Sequence, residues 1–117
     1  MSADTRGVSE VNVTAHARGQ YHDRSSRPTD SILAAWRDGD RVDLPAGVPV
    51  PYSHEARYDA VGDVVIFRRG IDLTTVYGLA SEHLTNIHGV AVAAAVDVQF
   101  GTSYRSGIDA ATLTEIN

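Results

Sequence analysis

The chain contains no cysteine, no lysine and a single tryptophan among its 117 residues. Without cysteine there are no disulfides, no thiolate metal ligands and no thiol nucleophile. Without lysine, all ten positive side chains are arginine, set against fifteen acids for a net charge of −5. Long apolar runs are also missing. The longest, Gly89 to Val96, is far short of the roughly 20 residues a membrane helix needs. No basic stretch followed by an apolar core opens the chain, so the expectation is a cytoplasmic protein with no membrane association.

The length predicts one domain with a single modest core. Aspartate outnumbers glutamate eleven to four. Acidic, lysine-free compositions resemble those of proteins from salt-accumulating halophiles, and high-GC codon usage produces the same bias; composition alone leaves both open. The acidic balance argues against non-specific attraction to nucleic acid or anionic membranes. Molar salt weakens that argument, because fields are then screened within about 3 Å.

Residues 1–9 have no periodicity and read as a flexible N-terminus; 10–100 read as the domain and 101–117 as a loose C-terminal segment. Glu10 to Thr14 alternates like a short strand, with Thr14 placed to cap a helix that ends before Arg27-Pro28. A second helix is expected from a cap at Thr29 or Asp30, through Ile32, Leu33 and Trp36, to a stop at Gly39. Pro45, Pro49 and Pro51 make Val42 to Tyr52 an extended connector. From His54 the pattern has period two. Ala56–Ala60, Val64–Arg69 and Leu73–Gly78 read as an antiparallel meander turning at Gly62-Asp63 and Gly70. Helices followed by hairpins predict an α+β fold, with two helices on an antiparallel sheet. For 82–100 two readings compete. The preferred one is a short helix to His88 and then a strand from 90 to 100, which Gly89 and the four valines favour. The other is a single helix, which Ala93-Ala94-Ala95 favours.

The densest cluster of functional groups is Thr14 to Arg24. His16, Gln20, Tyr21 and Arg24 are read as sharing one side of a helix, on which residues four apart lie about 40° from one another. This pattern, H-A-x-x-x-Y-x-x-R at 16–24, is followed by Arg57-Tyr58, then V-V-I-F-R-R at 64–69 and T-T-V-Y at 74–77. Together they resemble small prokaryotic domains that open with H-A-x-x-R-M-x-x-R and close on a V-T-V-Y strand, relatives of the RelE/ParE-type toxin fold. The resemblance covers residues 10–79. Three departures stand out: Gln20 in place of a basic residue, an extension beyond Leu79, and the acidic balance.

The resemblance implies a metal-independent ribonuclease or a non-catalytic relative of one. It implies RNA as substrate, an antitoxin-like protein or a second copy as partner, and no cofactor. In the cleavage reading His16 acts as base or acid and Tyr77 as acid or stacking surface. Arg24, Arg57 and Arg68 clamp phosphate, with Gln20 and Tyr21 in support. Arg68 and Arg69 are adjacent, so only one can face the helices. A structural role is the rival for each: His16 bonded to nearby backbone, Arg24 paired with Asp23 or Asp59, Tyr77 in the core. A second reading of the whole chain is a non-enzymatic interaction module using an exposed sheet edge or a dimer interface.

Other chemistries have no pattern here. His16 and His22 are six apart and His83 and His88 five apart, not the i, i+4 spacing that sets two imidazoles on one helix face. Neither G-x-S-x-G nor a phosphate-binding glycine loop occurs.

Overall fold

Thr14 fixes the start of the first helix. In the computed structural model, which describes residues 11–27, 29, 31–44, 53–84 and 87–107, its hydroxyl accepts from the Ala17 amide at 3.1 Å and donates to the Leu73 carbonyl at 2.7 Å. The first bond satisfies an otherwise free donor of the helix N-terminus; the second ties the helix to a distant strand. Helix α1 spans Ala15–Arg24, directly after strand β1, Asn12–Val13.

Helix α2 spans Ile32–Asp38. Its cap is Ser31 rather than Thr29 or Asp30: the hydroxyl accepts from the Ala34 amide at 3.2 Å, three residues on, where an N-cap side chain reaches. Gly39 closes it. A Cβ there would lie 2.9 Å from the Ala35 carbonyl oxygen and 3.1 Å from that of Tyr58, so glycine lets the helix end sit directly on the sheet.

The sheet contains β1, then β2 (Asp40–Arg41), β3 (Glu55–Asp59), β4 (Val64–Arg69) and β5 (Asp72–Gly78), in the spatial order β1-β5-β4-β3-β2. β2 to β5 form the expected antiparallel meander, extended by the two-residue β2. β1 pairs with β5 in parallel, so the sheet is mixed rather than antiparallel throughout. Both helices and three strands separate the two in sequence, which leaves ample chain for a parallel connection. The tight turns have left-handed residues at Asp63 (φ 56°) and Gly70 (φ 63°), residue types that tolerate that conformation.

Strand alternation sorts the core into two layers. Val64, Ile66, Leu73 and Val76 face α1 and α2, where they meet Ala17, Tyr21, Ile32, Ala35 and Trp36. Ala56, Tyr58, Val65 and Phe67 face the other way, onto a third helix. That helix, α3, spans Ile87–Phe100 and corrects the expectation of a strand over 90–100. Val92, Ala93 and Val96 are buried at helical spacing against the sheet, so burying one face against an existing sheet outweighs the strand preference of the valines. Before it, Ser81–His83 form one 3₁₀ turn; after it, Tyr104–Gly107 form another. The extension beyond Leu79 therefore supplies the second covering layer. Within it, 101–107 is tied down rather than loose: Asp97 accepts from the Thr102 hydroxyl at 2.6 Å, the Tyr104 amide at 2.9 Å and the Arg105 amide at 3.1 Å. The N-terminal stretch, most of the proline connector and residues 108–117 lie outside the described residues.

Among the described residues, no helix is long and apolar enough to cross a membrane.

Candidate functional site

Helix α1 lies along β5, and its predicted site residues divide by direction. His16 is exposed, and no hydrogen bond or ion pair holds it among the described residues. Tyr21 does not share the side of His16 as expected, because five residues turn about 140° round a helix; it is buried at 3 % exposure, in the core between α1 and the sheet. Gln20 and Arg24 point at the strand. The Gln20 side-chain oxygen accepts from the Val76 amide at 2.9 Å, and Arg24 Nη1 donates to the Val76 carbonyl at 2.8 Å. β1 pairs only with the start of β5, at Asp72 and Leu73. Further along, these two side chains take the place of a neighbouring strand. Arg24 therefore holds a main-chain carbonyl, not Asp23 or Asp59.

Tyr77 follows Val76 and so points to the opposite face. Its ring packs edge-on against Phe67 with centroids 5.3 Å apart, in the layer under α3. Burial pushes its phenol above the ordinary value, and the Arg24 charge opposes this in part. The sheet thus stands between Tyr77 and the solvent face of α1 that carries His16.

The remaining two arginines form a separate group on the α1 and α2 face, toward the β3 end of the sheet, where Arg57 reaches Trp36 of α2. Glu55 and Arg57 are two apart on β3 and share a face, and β3 pairs Glu55 with Arg68. Glu55 bridges them, accepting from Arg57 Nε at 2.8 Å and from Arg68 Nη2 at 3.1 Å, with its side chain 8 % exposed. Burial alone would raise its carboxyl. The hydrogen bond and charge of Arg57, and then those of Arg68, outweigh that and hold it below the usual range. Arg57 Nη1 also donates to the Trp36 carbonyl at 2.9 Å, and its guanidinium lies 4.3 Å from the centroid of the Trp36 ring. Arg68 Nη1 donates to the Gly70 carbonyl. Arg68 is the half-buried member of its pair and Arg69 the exposed one.

An open cleft of about 280 Å³ lies beside this group, lined by Arg41, Asp43, His54 and Glu55 among others. None of the seven predicted site residues lines it. Among the described residues no group of three or more His, Asp or Glu is placed to hold a metal ion.

Three groups escaped the sequence reading. Glu55 was readable from strand alternation, since it precedes Arg57 by two. Trp36 as an arginine platform was not. Nor was the hydroxyl chain in which Tyr104 donates to Asp63 at 2.6 Å and meets the Tyr58 hydroxyl at 2.6 Å. Burial, with the bonds to Asp63 and Tyr58, pushes the Tyr104 phenol far up. Asp63 also accepts from Ser26 at 2.8 Å. The chain thus joins the end of α1, the β3–β4 turn and the C-terminal segment.

Residues 13–80 match the Halo_toxin family, described as "Putative RelE superfamily toxin domain". The match covers more than half of the chain, and the chain belongs to that family. No curated protein and no solved structure matches it. The matched region runs from β1 to the end of β5, so α3 and both 3₁₀ turns lie beyond it.

Proposed function

We propose that this chain is a toxin-fold domain that works by binding a protein partner, antitoxin-like in kind, and is a non-catalytic relative of the ribonucleases in its superfamily. The observation that carries the reading is the placement of Arg24 and Arg57. Each donates to a main-chain carbonyl, of Val76 and Trp36 respectively, and Arg57 is also paired with Glu55. A phosphate clamp needs guanidinium groups free to meet the incoming anion. Here an anion would have to displace bonds that hold the sheet edge and α2 in place. General acid–base cleavage also needs both proton-transfer groups within reach of one phosphate, whereas His16 and Tyr77 lie on opposite sides of the sheet. A net charge of −5 favours a protein over a polyanion as partner.

Attachment through a sheet edge has less support than attachment through a helix surface, because side-chain amides cover main-chain groups at both ends of the sheet. Gln20 does so at β5. At the other end Gln99 donates to the Arg41 carbonyl at 2.8 Å and accepts from the Asp43 amide at 2.8 Å.

The test is incubation of the folded protein with RNA in EDTA, at low and at multimolar salt, beside a His16→Ala variant. The expected result is intact RNA under every condition. Cleavage that survives chelation and disappears with His16 would overturn the reading and restore the ribonuclease.

A further inference from the structure

We infer that two copies of this chain associate through the solvent face of α3, packed antiparallel about a two-fold axis. The inference is independent of the toxin reading and of whether RNA is cut.

Helix α3 is apolar on both sides. Its sheet-facing side buries Val92, Ala93 and Val96. Ile87, Ala91, Ala94 and Val98 fall within about 60° of one another on the diametrically opposite side. Ile87 is 52 % exposed and Val98 88 % exposed, with the two alanines partly exposed between them. The polar residues of the helix do not interrupt this stripe. His88 and Gln99 lie on its flank, Gln99 bonded to the β2 segment. Asp97 is turned into the 102–105 loop. A helix face that is apolar is normally covered, and this helix has two, on opposite sides.

Two features point to a second copy as the cover. The first is the spacing. The stripe reads large, small, small, large at 87, 91, 94 and 98, and these positions are symmetric about the midpoint between residues 92 and 93. In an antiparallel pair centred there, Ile87 of one copy meets Val98 of the other, and Ala91 meets Ala94. The small residues let the helix axes approach at the centre while the larger ones close the ends. A surface that complements itself in this way meets the requirement of an isologous interface. The second is charge. Each copy carries −5, and the stripe presents no charge, so two chains approach there with least local repulsion.

The area sets the strength. Fourteen residues of helix span about 21 Å, and one helix face of that length buries a few hundred Å² per partner. Stable interfaces bury about 800 Å² per partner. The dimer is therefore weak and concentration-dependent. Salt strengthens it, because the repulsion between the two net charges is screened while apolar burial persists.

The test is sedimentation equilibrium of the full chain over a range of concentration, at low and at multimolar salt. Val98→Asp places a carboxylate in the contact and is expected to weaken association by roughly tenfold or more. Its exposed position leaves the fold intact, which an unchanged circular dichroism spectrum and melting midpoint check. Because the chain has no cysteine, cross-linking is unambiguous. The double variant Ile87→Cys with Val98→Cys should oxidise to a covalent dimer, and neither single variant should. The two positions are about 16 Å apart along one helix, too far to bridge within a chain. A wild-type chain that stays monomeric at every concentration and salt overturns the inference, as does a dimer indifferent to Val98→Asp. Cross-linking by the single variants overturns the antiparallel geometry.

Discussion

Gln20 and Arg24, one helical turn apart, bind the two main-chain groups of the same residue: the amide of Val76 donates to Gln20 at 2.9 Å and its carbonyl accepts from Arg24 at 2.8 Å. Val76 is fully buried, so removing either partner leaves a backbone group without a bond where water does not reach. We predict that Gln20→Ala and Arg24→Ala each destabilise the fold by about 1–3 kcal/mol. The uncovered β5 edge should also make both variants prone to concentration-dependent aggregation. Denaturant titration and light scattering check this. A variant as stable and soluble as the parent would show that the bonds to Val76 contribute nothing.

The Arg57 guanidinium has three partners: the Glu55 carboxylate, the Trp36 carbonyl and the face of the Trp36 ring. Lysine keeps the charge but not the planar fork or its stacking. Arg57→Lys is therefore expected to cost about 1–2 kcal/mol. Trp36 fluorescence should change with it, since the cation above the indole moves. An unaltered emission spectrum would show that stacking at this site is not maintained.

Gly78 lies beneath the His83 ring. A Cβ at 78 would come within 2.8 Å of the ring atoms Cγ and Cδ2 and 2.9 Å of the Cβ of His83. Gly78→Ala must displace the imidazole and is predicted to destabilise by about 1–3 kcal/mol. His83→Ala removes the ring contacts and leaves only the Cβ contact at 2.9 Å, so the double variant should recover part of that loss. Additive losses in the double-mutant cycle would locate the strain elsewhere.

Much of the frame was readable in the sequence for local reasons. Val64–Arg69 and the strand ending at Gly78 are short runs rich in β-branched and aromatic residues between turn residues, and Thr14 stands where a cap hydroxyl belongs. Stretch 87–100 was ambiguous because alternating valine and alanine satisfy both periods. The sheet face that α3 covers decides between them, and that face is assembled from three other strands. The same limit applies to the functional groups. His16, Gln20, Tyr21 and Arg24 do fall on one helix, but Tyr21 lies on its buried side and not beside His16. Whether a side chain there meets solvent, core or a strand edge depends on where β5 lies, which no local pattern specifies. Tyr77 shows this most directly. One residue of strand alternation puts it under α3 and away from His16.

Acid should loosen the structure through two carboxylates. Glu55 is held below its ordinary value of 4.5 because, although burial raises it, Arg57 and Arg68 together outweigh that. Asp97 is held below 3.8 because, against burial, the Thr102 hydroxyl and the amides of Arg105 and Tyr104 favour the anion. A folded-state pKa below the unfolded one means that the folded state binds the proton less readily. The stabilisation is then fully present above the ordinary values and is lost as pH falls through the depressed ones. Unfolding free energy should accordingly be insensitive to these groups near neutrality and decline below pH 4.5, the ordinary glutamate value. Glu55→Gln removes one contribution, so the gap between parent and variant should be widest near neutral pH and narrow as acid protonates the parent's carboxyl. Asp97→Asn should behave likewise at lower pH, with amide exchange in residues 101–105 rising first. A gap that stays constant across the acid range would mean that the charge on Glu55 is not what stabilises the Arg57–Arg68 bridge.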